Sequence, residues 1–308
     1  MRALARAISL VERRGPEARQ LLAALFQHTG RARILGLTGA PGTGKSTLVD
    51  ALAREYRQAG MTVGIIAVDP SSPFSGGAVL GDRVRMQSHY GDPGVFIRSM
   101  ATRGSLGGLA AATADAATVL DAGSRDLVMI ETVGVGQNEV DIVKLADVTM
   151  VVIVPGMGDV VQSLKAGIME IADIFVINKA DREGADRLER EVLEMLSLGY
   201  ARQWTPPVIR TIACNGVGIT DLKQAISRYE DYLQNSGMGT RRRIENWRTR
   251  LEEMLREEVM GQLVRARLDD ATAQRYATEI VESARDPYAL VDEVIASLSA
   301  GKGAKPLR

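Results

Sequence analysis

Cysteine and histidine are scarce in this chain of 308 residues, which has one cysteine and two histidines. Cys214 cannot form a disulfide within the chain, and together with His28 and His89 it is a poor ligand set for a structural metal site. No histidine lies near Cys214 in the sequence, so we expect a small buried residue rather than a reactive thiol. The scarcity of cysteine is typical of a reducing compartment, and we expect a cytoplasmic protein.

Long apolar runs are also missing. No stretch approaches the roughly 18 consecutive apolar residues that a membrane-spanning helix needs. Residues 1–10 alternate arginine with apolar residues and lack the apolar core of a signal peptide. Neither sign of charge dominates, because Lys+Arg and Asp+Glu both number 38, which argues against a broad basic surface for nucleic acid. We therefore expect a globular domain that binds neither a membrane nor nucleic acid.

The chain does contain a glycine-rich segment that follows the short apolar run 34–37 and opens a helix-compatible stretch. The pattern G-x-x-x-x-G-K-[ST] places glycines where backbone N–H groups converge on phosphate oxygens at the start of a helix. We expect Lys45 to reach the outer phosphates and Ser46 to hold Mg²⁺ through its hydroxyl. The segment therefore predicts a phosphate-binding loop. Its residues are Gly39, Ala40, Pro41, Gly42, Thr43, Gly44, Lys45, Ser46 and Thr47.

Two aspartates follow at positions that suit a bound ligand. A β-rich run over 62–68 ends in Asp69, at the strand edge where open parallel sheets bind ligands. The polar, glycine-rich stretch 71–86 has no regular period and is a candidate first switch, in which Asp82 would reach Mg²⁺ or its water shell. Each aspartate also has a simpler interpretation, because Asp69 precedes a proline in a turn and Asp82 can be a solvated loop residue.

The apolar run 127–130 predicts a buried strand that delivers Glu131 and, three residues later, Gly134. In a phosphate-loop protein, an acid that ends the neighbouring strand coordinates Mg²⁺ through water, and a glycine N–H senses the γ-phosphate. This arrangement predicts a second switch, with glutamate where aspartate is usual. Val135 follows Gly134 where Ras-like enzymes place the glutamine that orients water, so we expect a weak intrinsic hydrolytic site.

A second motif, N-K-x-D with Asn178, Lys179 and Asp181, ends the predicted strand 174–177. The carboxylate of Asp181 can accept two hydrogen bonds from the N1–H and the amine of guanine, a match that adenine cannot make. We expect Lys179 to pack its stem over the base or its ribose. The last predicted strand brings backbone N–H groups to the guanine O6. These groups belong to Ile212, Ala213 and Cys214.

Near-continuous apolar runs such as 148–154 are typical of central parallel strands that are covered on both faces. The sequence therefore predicts an α/β fold, with a mostly parallel central sheet flanked by helices and with helical extensions at both ends. The expected domains are an N-terminal helical extension at 1–30, a P-loop nucleotide domain at 31–234 and a C-terminal helical arm at 235–308. Residues 234–239 are the expected linker before the arm.

The C-terminal arm carries one apolar row on a segment that is otherwise rich in arginine and glutamate. Apolar residues spaced by four predict a helix with a single apolar stripe, which an arm of this size cannot bury alone. We therefore expect a symmetric homodimer, in preference to packing of the arm on its own domain. The row is Trp247, Leu251, Leu255, Val259 and Leu263.

With these motifs assembled, the sequence resembles the MeaB/ArgK family of P-loop GTPases, which includes the human methylmalonic aciduria type A protein. The stretches VDPSSP at 68–73, GDRVRM at 81–86 and ETVGVGQ at 131–137 carry the resemblance together with GAPGTGKSTL and NKAD. The resemblance implies a GTP-hydrolysing chaperone, with GTP/GDP and Mg²⁺ as ligands, that gates cofactor loading of an adenosylcobalamin-dependent acyl-CoA mutase. Implied partners are that mutase, such as methylmalonyl-CoA mutase, and the adenosyltransferase that supplies its cofactor.

The resemblance also assigns roles to individual residues. The Mg²⁺ partners implied are Ser46, Asp82 and Glu131, with Asp69 as a fourth, and the catalytic residues implied are Lys45, Asp82, Glu131 and Gly134. An additional switch is implied at 156–167, where the residues that respond to the mutase are Asp159, Gln162 and Lys165. The family's dimerisation arm matches the segment after Gly239. The run from Ile212 to Cys214 departs from the Ser-Ala pair that is common among relatives.

Two other functions remain open. A metal-insertion GTPase of the hydrogenase or urease maturation type would share the phosphate loop and dimeric switching, but it should carry a segment rich in histidine or cysteine. Metal titration would identify that function. A kinase linked to amino-acid transport would transfer the γ-phosphate to a partner protein instead of releasing it as free phosphate.

Overall fold

The computed structural model describes residues 1–69, 87–89, 91–101, 108–132, 145–156, 169–198, 203–282 and 285–299. The strands are β1 (Arg33–Thr38), β2 (Val63–Asp69), β3 (Val95–Ala101), β4 (Leu127–Glu131), β5 (Val148–Ile153), β6 (Ile174–Asn178) and β7 (Val208–Thr211). They form one seven-stranded sheet in the order β3-β2-β4-β1-β5-β6-β7, and every neighbouring pair is parallel. The predicted α/β class with a parallel central sheet is confirmed.

Helices precede, connect and follow these strands along the chain. They are α1 (Arg2–Glu12), α2 (Pro16–Phe26), α3 (Lys45–Gln58), α4 (Gly108–Ala122), α5 (Ala185–Leu198), α6 (Ile219–Ser236), α7 (Met238–Arg267), α8 (Asp270–Val281) and α9 (Pro287–Ser299). Single turns of helix occur at Gln87–His89, Met169–Ile171 and Ala213–Asn215. None of the helices in the described ranges is long and apolar enough to cross a membrane.

The strands form because both of their faces are buried against helices. Every residue of β4, β5 and β6 is buried, as the continuous apolar runs predicted. Successive side chains point to opposite faces of a strand, and β2 shows the consequence. Ile65 packs in the cluster that includes residues of α3 and α6, whereas Ile66 packs in the cluster that includes residues of α1 and α4.

The N-terminal helices α1 and α2 pack on α4. Ile8 and Val11 are fully buried and share a cluster with Leu120 of α4. A Cβ added to Gly123, just after α4, would lie 2.4 Å from a methyl carbon of Leu4, so a larger residue would have to displace that side chain. Complete burial of a side chain such as Ile8 stabilises a fold by about 1.5–3 kcal/mol. The extension is therefore fixed on the helix that covers this face of the sheet.

A buried carboxylate joins the amino ends of the central strands to the C-terminal helices. Asp173 accepts hydrogen bonds from the Thr149 backbone N–H at 2.7 Å and from the Tyr229 hydroxyl at 2.6 Å. Arg242, near the start of α7, donates to both oxygens of Asp173 at 3.0 and 2.9 Å. The carboxylate is thus fully engaged by charged and polar partners, which is what burial of a charge requires. These bonds fix α6 and the first turns of α7 on the sheet.

The predicted linker at 234–239 is not an extended segment. Helix α6 continues to Ser236 and α7 begins at Met238, so a single residue, Gly237, separates the two helices. Gly237 has φ of 67°, the left-handed conformation that glycine adopts readily after a helix. The break between the helices thus lies inside the predicted segment, whose polar and glycine-rich composition also suits a tight turn between two helices.

Residues Met1–Trp247 and Arg248–Arg308 form two compact units. In the second unit, Asp269 caps α8 by accepting the Thr272 backbone N–H at 2.8 Å. Glu293 of α9 accepts hydrogen bonds from Tyr276 at 3.2 Å and from Arg285 at 2.5 Å. Leu290 is buried, with 3% of its surface exposed. The domain boundaries expected at 30/31 and 234/235 stay predictions.

Candidate nucleotide site

The glycine-rich segment forms a tight loop between the end of β1 and the start of α3. Gly39, Gly42 and Gly44 have φ of 139°, 79° and 86°, values at which other residues are strained. A Cβ at Gly39 would lie 2.1 Å from the Val152 carbonyl oxygen, and one at Gly44 would lie 2.5 Å from Asn178 Nδ2. Glycine is therefore required at both positions by the close approach of β5 and β6.

Lys45, the first residue of α3, places its positive charge at this loop. It is buried, and its ammonium donates hydrogen bonds to the carbonyl oxygens of Gly39 at 2.6 Å and Ala40 at 3.1 Å. The Thr43 hydroxyl donates to the Ala40 carbonyl at 2.9 Å and closes the loop from within. The amino end of α3 points its backbone N–H groups toward the same loop, so helix dipole and ammonium together favour an anion.

Ser46 lies beside the carboxylate that the sequence assigned to the second switch. Its hydroxyl donates to Glu131 Oε1 at 2.7 Å, and both residues are 6% exposed. The parallel register explains this contact, because Leu37 of β1 pairs with Glu131 at the end of β4, and β1 leads directly into the loop. A buried hydroxyl and a carboxylate are oxygen donors that Mg²⁺ prefers, so the residues present fit that ion.

Asp69 ends β2, one strand farther from the phosphate loop. Ala67 of β2 pairs with Glu131, and Asp69 itself pairs with Ala101 of β3. The residue is therefore at the predicted edge of the sheet, with β4 between it and β1. The side chain of Asp69 lies outside the described part of the chain, so its contact with Mg²⁺ stays a prediction.

Asn178 joins the base-recognition motif to the phosphate loop. It is 2% exposed, and its side-chain amide donates to the Thr43 carbonyl at 2.8 Å. Its oxygen accepts from the Thr211 hydroxyl at 3.1 Å and from the Ala213 backbone N–H at 3.2 Å. This bridging role was missed by the sequence analysis. An amide with donors and acceptors at the end of a buried strand is the signal that could have indicated it.

Lys179 follows Asn178 with φ of 55°, an uncommon conformation for a residue other than glycine. Its ammonium donates to the Gly42 carbonyl at 2.7 Å, so the lysine stem spans from β6 to the phosphate loop. Asp181, two residues later, is exposed. The motif therefore leaves its carboxylate accessible to a ligand, while the lysine and Asn178 are bonded to the loop.

The segment after β7 completes this edge of the site. Ala213 is buried and begins a short turn of helix, whereas Ile212 is half-buried. Cys214 is exposed, so the expectation of a buried small residue was wrong. The reason is the helical turn at Ala213–Asn215, which directs Ala213 to the core and leaves its successor at the surface.

Several predicted site residues lie outside the described ranges. They are Asp82, Gly134, Asp159, Gln162 and Lys165. Within the described ranges, no group of three or more His, Cys, Asp and Glu residues could hold a metal ion. Ser46 and Glu131 would supply two protein oxygens to Mg²⁺, and such an ion bound with nucleotide commonly takes its other ligands from phosphate and water.

Comparison with known proteins places this geometry in context. A family model described as "Methylmalonyl Co-A mutase-associated GTPase MeaB" matches residues 4–268. A Pyrococcus abyssi protein whose name assigns it to the GTPases is 49% identical over 307 residues, which is 97% of this chain and 94% of that protein. GTPase ArgK of Escherichia coli (strain K12) is 36% identical and covers 84% of this chain and 81% of its own length.

Two further similarities extend the comparison. The protein of Mus musculus named "Methylmalonic aciduria type A homolog, mitochondrial" is 34% identical over 83% of this chain and 66% of its own length. The crystal structure of "LAO/AO transport system kinase" superposes with a TM-score of 0.69 and 26% sequence identity, covering 96% of this chain and 92% of that one.

Proposed function

We propose, because the chain belongs to the MeaB family of methylmalonyl-CoA mutase-associated GTPases, that it is a GTP-hydrolysing chaperone of an adenosylcobalamin-dependent acyl-CoA mutase. In this role it gates the loading of the cofactor and protects the mutase from inactivation, with GTP hydrolysis as the timer. The description of the family and the name of the murine relative support a mutase as the client. The adenosyltransferase that supplies the cofactor is a further proposed partner.

The observation that carries the nucleotide assignment is the 2.8 Å hydrogen bond from the Asn178 amide to the Thr43 carbonyl. It fixes the end of β6 against the phosphate loop, so that one nucleotide can contact the loop with its phosphates and the motif with its base. Asp181 then accepts hydrogen bonds from the N1–H and the amine of guanine. Backbone N–H groups of residues 212–214 approach the guanine O6.

At the phosphate end, Lys45 exchanges the carbonyl oxygens of Gly39 and Ala40 for phosphate oxygens when GTP binds. Ser46 and Glu131 would hold Mg²⁺, with Asp82 and Asp69 as further partners. Bound there, the ion would neutralise charge on the phosphates. The backbone N–H groups at the start of α3 add to this stabilisation without any change in their orientation.

Hydrolysis is slow in the isolated protein, because Val135 follows Gly134 where other GTPases have a water-orienting glutamine. The mutase supplies what is missing, by fixing the water or by adding charge. Such completion of a site by a partner accelerates other GTPases by about 10³–10⁵. The residues at 156–167 that respond to the mutase are Asp159, Gln162 and Lys165.

A loading assay tests the chaperone role. Adenosylcobalamin transfer into apo-mutase is followed spectroscopically in the presence of this protein with GTP, GDP or a GTP analogue that resists hydrolysis. We expect cofactor loading to proceed with GTP and to stop with the analogue, because loading requires GTP hydrolysis. Lys45→Ala should behave as protein without nucleotide, whereas Lys223→Ala, which removes a lysine paired with Glu55 on the side of α3, should behave as wild type. Loading that is the same with all three nucleotides would reject the role.

A kinase function is the second candidate, favoured by the TM-score of 0.69 to the structure titled as a transport system kinase. The two functions differ in the fate of the γ-phosphate. GTP and ATP labelled in that phosphate are incubated with this protein and an amino-acid-binding protein. Release of label only as free phosphate supports the GTPase, and label retained on the binding protein supports the kinase.

A further inference from the structure

The face of α3 that begins with Ser46 carries polar bonds beside apolar packing, because Ala53, seven residues later on the same side, is fully buried in the core. The opposite, apolar face, which includes Leu48 and Leu52, is fully buried in the cluster under the sheet. Asp50 follows Ser46 by four residues and therefore lies on the same side of the helix, one turn later. Its side chain is only 14% exposed, so this carboxylate is largely shielded from water.

Asp50 is bonded to a segment that leads into the edge strand of the sheet. The Ser88 hydroxyl donates to Asp50 Oδ1, and His89 Nε2 lies 3.1 Å from the same oxygen. His89 Nε2 is also 3.3 Å from the Asp50 carbonyl oxygen, and only 8% of this histidine is exposed. The second oxygen of Asp50 accepts from Arg54 at 2.8 Å. The carboxylate therefore connects two buried or partly buried elements.

The segment that receives these bonds is itself fixed to the sheet. The Asp92 backbone N–H donates to the His89 carbonyl at 3.1 Å, and Val95, the first residue of β3, donates to the Asp92 carbonyl at 3.2 Å. Near the other end of α3, Arg57 forms two bonds with Asp92, at 2.8 and 3.0 Å. Asp50 thus attaches α3 to Ser88 and His89, and Arg57 attaches it to Asp92. Asp50 is the nearer of the two to the start of the helix.

We propose that Asp50 is a positioning residue for the magnesium end of the site, which acts by fixing the first turns of α3 relative to the sheet. Apolar packing is non-directional and sets how deeply α3 lies, whereas hydrogen bonds fix its rotation and its shift along its axis. The 2.7 Å contact between Ser46 and Glu131 depends on that placement. Metal sites need ligand distances correct to about 0.2 Å. A small shift of α3 therefore lowers the affinity for Mg²⁺ more than the affinity for the nucleotide. This inference rests on the proposed GTPase function.

The test measures the Mg²⁺ concentration that gives half-maximal GTP hydrolysis, together with GTP affinity in EDTA and the unfolding midpoint. Asp50→Asn should raise the half-saturating Mg²⁺ concentration about tenfold, the effect of losing bonds to a charged group. Ser88→Ala should also raise the half-saturating Mg²⁺ concentration, while leaving the charge of Asp50 in place. GTP affinity in EDTA should stay within about twofold of wild type, because the loop backbone and N-K-x-D are unchanged.

Arg54→Ala is the matched control, because it removes another partner of Asp50 and leaves the bonds to Ser88 and His89. Its Mg²⁺ requirement should match that of wild type. If Asp50→Asn and Ser88→Ala lower only the unfolding midpoint and leave the Mg²⁺ requirement unchanged, Asp50 is structural and the positioning role is wrong. If Asp50→Asn does not fold, Ser88→Ala alone decides the outcome. A wild-type protein with no Mg²⁺-dependent GTP hydrolysis would instead reject the proposed function itself.

Discussion

At the scale of single residues, Asn178 determines how the two ends of the nucleotide site are spaced. Its amide contacts the phosphate loop, and its oxygen contacts the turn after β7. Loss of such a buried side chain would leave the Thr43 carbonyl and the Ala213 N–H without this partner, at a cost of about 1–3 kcal/mol for each buried group. Asn178 therefore supports the residues proposed to bind the base through hydrogen bonds within the protein. It need not contact the base itself.

Asp181 gives the sharpest test of base recognition. Asp181→Asn replaces an acceptor pair with one acceptor and one donor, which matches xanthine better than guanine. We expect GTP affinity to fall by about a hundredfold and preference to shift toward xanthosine triphosphate, because two charge-assisted bonds are lost. Competition of both nucleotides against a fluorescent GTP analogue measures the shift. The control is Asp186→Asn, an exposed aspartate paired with Arg210, and an unchanged preference in Asp181→Asn would contradict the assignment.

At the scale of residues, the sequence predicts which side chains form the site better than it predicts their burial and their hydrogen-bond partners. The residues of the loop and of N-K-x-D follow from motifs in which spacing along the chain dictates spacing in the structure. The exposure of Cys214 and the bridging by Asn178 do not follow, since both depend on how the turn after β7 packs against β6. Such contacts join residues that are distant in the sequence, so no local sequence pattern predicts them.

At the scale of elements, α3 connects the phosphate site to Ser88, His89 and Asp92. The contact between His89 and Asp50 also predicts a pH dependence. The pKa of His89 is raised above its ordinary value of 6.5, mainly by its hydrogen bond with Asp50, against the opposing effects of burial and of Arg54. Asp92, which is bonded to Arg57, is the other carboxylate of this segment near the ring.

The sign follows from the raised pKa. A folded-state pKa above the unfolded value means that folding favours protonated His89, so its contribution to stability is complete below pH 6.5 and is lost as pH rises through the folded pKa. We expect the free energy of unfolding from urea titrations to fall over this range. His89→Gln should remove that component, while His28→Gln, at the exposed second histidine, should retain it. Parallel curves for wild type and His89→Gln would show that the pair contributes nothing.

Element positions were predicted well where apolar runs are long. The buried strands β4, β5 and β6 lie where continuous apolar residues predicted them, because only central parallel strands need such residues on both faces. The boundary between α6 and α7 lies at Gly237, inside the predicted linker at 234–239, but the composition did not show that one residue separates the helices. Glycine and polar residues at 234–239 are compatible with a longer linker and with a one-residue turn. Hydrogen bonds between distant residues, such as that of Arg242 to Asp173, favour the turn.

At the scale of the whole molecule, the proposed dimer accounts for an exposed apolar row on α7. Four members of the row, at 247, 251, 255 and 259, are between 47% and 57% exposed. Exposed apolar patches on a folded chain commonly mark protein–protein contacts. The helix offers these residues at a spacing of four, so a second copy could cover the row with its own in a symmetric interface.

Leu255→Glu tests this dimer. A charged side chain in the row should disfavour burial by several kcal/mol across both copies, so the variant should sediment as a monomer at micromolar concentration where wild type sediments as a dimer. Arg256→Glu is the matched control, because it changes charge at the next residue, about 100° around the helix. Sedimentation velocity distinguishes the species. A Leu255→Glu protein that remains dimeric would exclude the row from the interface.

The family and its fold could be predicted from the sequence, because several motifs in a fixed order specify both. The response to a partner could not. The residues implied for it, Asp159, Gln162 and Lys165, have no local chemistry that distinguishes them, and they lie outside the described ranges. A partner-dependent rate depends on a complex of two chains, and one sequence records only half of that interface.

If a mutase completes a slow GTPase, as proposed above, the mutase must accelerate hydrolysis. The most direct test is the rate of phosphate release from GTP, measured at saturating nucleotide and Mg²⁺ with and without a saturating adenosylcobalamin-dependent acyl-CoA mutase. We expect feeble release by this protein alone and an acceleration of at least about tenfold by the correct mutase, because the partner orients the water or adds charge. Equal rates with and without every such mutase would contradict it.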